Sequence, residues 1–190
     1  MRMHEGCLLA LAFVAVAALP ADAQRRFGFG TPATEAEIRG WDIDVAPDGS
    51  GLPEGRGSVR EGAAIFAEQC ASCHGEAGQG GQMDRLAGGQ GSLTAARPIR
   101  TIGSFWPHAT TIYDYVNRAM PFNAPQSLAP DQVYAVTAYL LNINGILPGD
   151  AVLDARSLPA VRMPNAGGFT GPDPRPDIAN TACERNCGGR

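Results

Sequence analysis

Cys70, Cys73 and His74 stand together as Cys70-Ala71-Ser72-Cys73-His74, a C-x-x-C-H pattern. Two thiols one helical turn apart can each form a thioether with a vinyl group along one side of a porphyrin. The adjoining histidine then brings its imidazole to the iron from that face. The pattern is the attachment signature of c-type haem. Three other readings of two nearby thiols compete with it: half of a zinc site, a dithiol redox pair of the thioredoxin kind, and a structural disulfide. Zinc needs more ligands, and beyond the first 23 residues the chain offers only His108 and the distant Cys183 and Cys187. A thioredoxin-like pair follows a strand and opens a helix, whereas this pair follows a segment with the marks of a capped helix. A core of about 90 residues with few large apolar side chains is marginal unless a cofactor fills it. The expected cofactor is one covalent haem c.

Iron held by one histidine needs a sixth ligand or keeps an open site, and that choice separates an electron carrier from a reaction centre. Met120, in Arg118-Ala119-Met120-Pro121-Phe122, is the preferred candidate. The proline after it pushes it out of helical geometry into an extended conformation that can present a thioether inward. His108 is second, Met83 and Met163 are the remaining candidates, and ordinary core filling is the competing role for any methionine. Trp106 and Arg97 or Arg100 are candidate donors to haem propionates, against a core tryptophan and solvated arginines.

The elements that must position these residues fall between 58 and 147. Ser58 and Glu61 have the spacing of a capping box, and Gly62, Phe66 and Cys70 follow at four-residue intervals on one helix face. A second helix is predicted from near His108 to Arg118, with Ile112, Tyr115 and Val116 as its buried stripe and Pro121 ending it. A third starts near Pro130, carries Val133, Tyr134, Val136, Tyr139, Leu140 and Leu141, and stops at Gly145. No alternating pattern is long enough to build a sheet, so the expected fold is all-α. Residues 24–57 read as an extended arm with at most one short helix near Thr34 to Gly40. Residues 148–190, rich in proline and glycine, read as a wrapping or partly disordered tail.

Residues 1–23 read as a cleaved signal peptide. Arg2 and His4 precede an apolar run from Leu8 to Leu19, and Ala21-Asp22-Ala23 supplies a small-x-small cleavage pattern. The run is about a dozen residues where a membrane span needs roughly 20, so the chain is not expected to span a membrane. The expected location is the periplasm, which agrees with haem attachment outside the cytoplasm. With 15 basic and 19 acidic residues the net charge is -4, and all the basic residues are arginine. That balance argues against nucleic acid as a partner.

Gly62 and Phe66, C-x-x-C-H at 70–74, Leu86, Met120-Pro121 and Ala138-Tyr139-Leu140 occur in the order found in class I cytochromes c, which residues 58–147 resemble. The resemblance implies a fold of three main helices around a covalent haem, with Cys70 and Cys73 bound to it and His74 and Met120 as axial ligands. It also implies that Gly62 and Phe66 meet Tyr139 where the first and last helices cross. The family's usual proline two residues before Leu86, whose carbonyl fixes the axial histidine, is Asp84 here; a backbone carbonyl still serves. Thr34-Glu35-Ala36-Glu37-Ile38-Arg39-Gly40-Trp41, Gly88-Gly89-Gln90-Gly91-Ser92-Leu93 and Gly103-Ser104-Phe105-Trp106-Pro107 are further similar to the cytochrome subunit of bacterial sulfane dehydrogenase. That likeness implies a molybdenum-containing dehydrogenase as electron donor, of the sulfane or sulfite type, and a downstream cytochrome as acceptor. Fuller members of that family carry a second haem module, whereas one C-x-x-C-H here implies a monohaem form. The chain itself is then an electron-transfer protein and not an enzyme. The alternative is a haem with an open sixth site, acting as a small-ligand sensor or a peroxidase-like enzyme. Cys183 and Cys187, four apart with no following histidine, are expected to form a local disulfide, against a labile redox pair or a link to a partner.

Overall fold

A computed structural model describes residues 30–169; the proposed signal peptide and the Cys183/Cys187 pair lie outside the described residues. Helix α1, Glu35–Trp41, forms where a short helix is expected. The Glu37 amide donates to Thr34 Oγ1 at 3.2 Å and the Thr34 amide to Glu37 Oε2 at 2.7 Å, which closes a reciprocal cap. No residue of α1 is buried, and Trp41 is 88% exposed.

The remaining described elements are β1 (Arg56–Ser58), α2 (Val59–Gln69), α3 (Ala71–His74), α4 (Ala109–Ala119), α5 (Pro130–Ile143) and β2 (Val152–Asp154). Helix α2 begins at the capping box read from the sequence. The Glu61 amide donates to Ser58 Oγ at 3.2 Å and the Ser58 amide to Glu61 Oε2 at 2.8 Å. Pro130 opens α5, where its missing N–H leaves no bond unmade. Helices α2 and α5 pack where Gly62 removes a side chain. A Cβ there would collide with the Ala135 carbonyl and crowd the Tyr139 Cβ. Phe66 and Tyr139 meet beside that crossing with ring centroids 5.1 Å apart and planes tilted by 47°, so the implied small-large-aromatic arrangement is present.

One element has no counterpart in the sequence reading. β1 and β2 pair antiparallel, with Gly57 opposite Leu153. Three-residue strands are too short to show an alternating pattern, and their pairing joins positions about 95 residues apart in sequence, so nothing local announces them. The ribbon helps bring chain beyond residue 147 into the core, where Leu153, Leu158 and Met163 are buried.

The expected stripe on α4 needs one correction. Ile112 and Val116 are buried, but Tyr115 is 48% exposed and Tyr113 is fully buried in its place. Helix α4 has two covered faces. Tyr113 packs on Tyr134 of α5, with centroids 4.5 Å apart, while Ile112, Tyr115 and Val116 all line a cavity. Tyr115 lies at the rim of that cavity, edge-on to Trp106 at 5.9 Å.

Candidate haem site

The cavity has a volume of about 790 Å³, within the range of cofactor sites. Every described helix of the residue 42–169 unit contributes to its walls. Helix α2 ends at Gln69, and Cys70, as its C-cap, donates its amide to the Phe66 carbonyl. The chain then turns into α3, whose Cys73 and His74 amides both donate to the Cys70 carbonyl, at 3.1 and 3.0 Å. This tight turn places Cys70, Cys73 and His74 together on the cavity wall. Burial, and secondarily the neighbouring Cys73, raises the Cys70 thiol pKa to about 11, so the free thiol stays protonated at neutral pH.

His74 Nδ1 lies 2.7 Å from the Asp84 carbonyl oxygen. A carbonyl only accepts, so Nδ1 carries the proton and Nε2 keeps its lone pair for a metal. Asp84 therefore supplies through its backbone the contact expected at the family's proline position. The far end of α4 brings in Met120, which is the helix C-cap with extended backbone at φ -123° and ψ 147°. This is the geometry that the following proline was expected to impose. The Met120–Pro121 peptide is cis, and Met120, Pro121 and Phe122 all line the cavity.

The other candidates separate cleanly. His108 is the exposed N-cap of α4 and does not line the cavity. Met163 is 2% exposed within the core and does not line it either. Met83 does line it, but its amide donates to the Cys73 carbonyl at 2.9 Å, which ties it beside the C-x-x-C-H turn. Of the two candidate arginines, Arg100 lines the cavity with Trp106 and Arg97 is exposed outside it, while Arg85, not named from the sequence, also lines it. Ile102 and Leu128 also line the cavity and were missed in the sequence. Each is a lone aliphatic in a loop, where no periodicity marks it. Among the described residues no cluster of three or more His, Cys, Asp or Glu could hold a separate metal ion.

The donor set fits a haem. Two thiols and an imidazole with a free Nε2 share one cavity with a thioether, the walls carry Phe66, Leu86, Ile112, Val136 and Leu140, and Arg100 and Trp106 supply polar hydrogens. Comparison with known proteins agrees. Residues 59–144 match the family model "Cytochrome c". The chain is 45% identical to a chain of the crystal structure of the sulfane dehydrogenase SoxCD from Paracoccus pantotrophus. That alignment covers 87% of this chain and 84% of the other, with a TM-score of 0.74. No curated protein sequence matches the chain. With a helical fold closing on a C-x-x-C-H cavity, and a long alignment to a redox complex, the chain belongs to the cytochrome c family, electron-transfer proteins that bind haem c covalently.

Proposed function

We propose that this protein is a periplasmic monohaem cytochrome c that takes single electrons from a molybdenum-containing dehydrogenase of the sulfane or sulfite type and passes them to a downstream cytochrome. Residues 1–23 serve as the export signal, 58–147 form the haem domain, and 24–57 and 148–190 are arms flanking it. Cys70 and Cys73 would hold the porphyrin through thioethers, and His74 and Met120 would ligate its iron. When bound, the haem supplies the one-electron couple of its iron.

The observation that carries this reading is the shared cavity of His74 and Met120. His74 is oriented by the Asp84 carbonyl with Nε2 free, and Met120 arrives from a separate element, the end of α4. The Asp84 carbonyl fixes the His74 tautomer that ligation needs, and Met120 would provide a soft neutral donor that favours reduced iron. The apolar walls would exclude water from a bound haem, and Arg100 and Trp106 would offer donors to its propionates. Support for the partner comes from the likeness to the sulfane dehydrogenase complex. Among the described residues no helix is long and apolar enough to cross a membrane.

Absorption spectra of the purified holoprotein, oxidised and reduced, test the ligation. A weak deep-red band in the oxidised protein, lost in Met120→Ala, is the expected result. An oxidised wild type that is high-spin, with a reduced form that readily binds carbon monoxide, overturns the carrier reading in favour of an open-site sensor or enzyme.

A further inference from the structure

Asp84 stands where the resembled family has a stiff proline, yet its carbonyl holds His74 Nδ1 at 2.7 Å. The loop that carries Asp84 must therefore be fixed by other means. On its N-terminal side the Met83 amide donates to the Cys73 carbonyl at 2.9 Å, and on its C-terminal side the Gly78 carbonyl accepts the amides of Leu86 at 2.8 Å and Ala87 at 3.0 Å. The same C-terminal side is also tied to Asn144, the C-cap of α5, which is 7% exposed. Asn144 Nδ2 donates to the Leu86 carbonyl at 3.1 Å, and Asn144 Oδ1 accepts the Gly88 amide at 3.1 Å. The same Nδ2 donates to the Leu140 carbonyl at 2.8 Å, four residues back in the helix, so the side chain itself is fixed. Gln90 Nε2 adds a bond to the Asn144 carbonyl at 3.0 Å. Gly103 leaves room for this junction, because a Cβ there would collide with the Asn144 and Gln90 side-chain amides.

Helix capping alone does not require this arrangement. A cap needs the bond to Leu140, whereas the bonds to Leu86 and Gly88 clamp the backbone two and four residues beyond the carbonyl that orients His74. Asn144 does not line the cavity, so any effect it has on the iron passes through that loop.

We propose that Asn144 is a positioning residue: by clamping Leu86 and Gly88 it holds the Asp84 carbonyl on His74 Nδ1 and thereby tunes the iron. The proposal rests on the reading of His74 as the axial ligand. A carbonyl held on Nδ1–H raises the basicity of the imidazole and its donation to oxidised iron, and so lowers the reduction potential. Loosening the clamp weakens that bond.

The test compares holoprotein Asn144→Ala with Val133→Ala. Val133 is a fully buried residue of α5 that does not line the cavity, so its truncation reports loss of stability without loss of the clamp. The readouts are solvent exchange of the His74 Nδ1 proton by NMR in the reduced state, and the reduction potential. Asn144→Ala is expected to speed exchange roughly tenfold, the size of one lost hydrogen bond, and to raise the potential, while Val133→Ala moves neither. Asn144→Asp keeps an acceptor for Gly88 and loses both donated bonds. It is expected to speed exchange as well, and that readout gives the answer if the alanine variant does not assemble, whereas its added negative charge draws the potential down. Wild-type values in the Asn144 variants, or equal changes in Val133→Ala, overturn the proposal. A wild-type spectrum without histidine-methionine ligation overturns instead the reading beneath it.

Discussion

Two tyrosines packed against each other in the core show how differently two identical side chains are settled. Tyr134 donates its hydroxyl to the Pro53 carbonyl at 2.8 Å, whereas the buried Tyr113 hydroxyl has no partner among the described residues. Burial pushes the Tyr113 pKa well above the ordinary phenol value, with Tyr134 adding to the shift. Burial, followed by Asp154, raises that of Tyr134 to about 12. Tyr113→Phe is expected to leave stability unchanged or to raise it by up to about 1 kcal/mol, because it removes an unpaired buried group. Tyr134→Phe is expected to cost about 1 kcal/mol by orphaning the Pro53 carbonyl. Urea unfolding of the two variants checks the contrast, and equal losses would refute it. Neither tyrosine announces its role in the sequence, since both occupy ordinary apolar positions of their helices and the partner carbonyl is 81 residues away from Tyr134.

Among the elements, the α2–α5 crossing bears the tightest constraint. Gly62 lies inside a helix, where alanine would ordinarily gain about 1 kcal/mol from helix propensity. At the crossing its methyl group would meet the Ala135 carbonyl and the Tyr139 Cβ. Backbone cannot yield as the end of a flexible side chain does, so overpacking prevails and Gly62→Ala is expected to cost about 2–3 kcal/mol net. Thermal unfolding measures this, and a stabilised variant would show that the helices can separate freely. This crossing was legible in advance only through the resemblance to class I cytochromes c, because the spacing of Gly62 and Phe66 marks one helix face and does not by itself say that Tyr139 lies opposite. The helix starts were legible directly, Ser58 with Glu61 and Pro130 acting through their own backbone neighbours. Tyr113 and Tyr115 were exchanged because a helix covered on two faces carries two apolar stripes, and periodicity does not say which faces protein and which faces a cavity.

Over the whole molecule, stability depends on pH through local carboxylates at one end of the range and buried phenols at the other. Glu61, held by Ser58, Asp154, held by Ser157, and Asp48, held by Ser50, all have pKa values below the ordinary 4.5 and 3.8. A depressed folded pKa means that their contribution is complete above about pH 4.5 and is lost as pH falls through the folded values. The raised tyrosine values act in the opposite sense. Their contribution is complete below pH 10, the ordinary phenol value, and is lost as pH rises toward 12. Urea midpoints followed by circular dichroism are therefore expected to fall below about pH 4.5 and above about pH 10. The acid limb is expected to be modest and to weaken in salt, since these carboxylates are open to solvent. A midpoint that rises on acidification would contradict it. Long-range bonds also tie the chain up to the start of β1 to the helices, from the Val45 amide to Asp114 Oδ1 at 2.9 Å and from the Arg56 amide, in β1, to Asp131 Oδ1 at 2.7 Å.

Thiols three residues apart with a following histidine, a methionine before proline and helix caps are all local codes. Each constrains atoms a few bonds or one helical turn apart, so Cys70, Cys73, His74, Met120 and the three main helices could be read along the chain. Contacts between distant segments carry no such code. The β1–β2 pairing, the burial of Met163 rather than its approach to the cavity, the exclusion of His108 and the clamp from Asn144 onto Leu86 and Gly88 arise when the chain closes. Their physical cause is the packing of elements that are far apart in sequence, where a single hydrogen bond or methyl group acts through space rather than along the backbone.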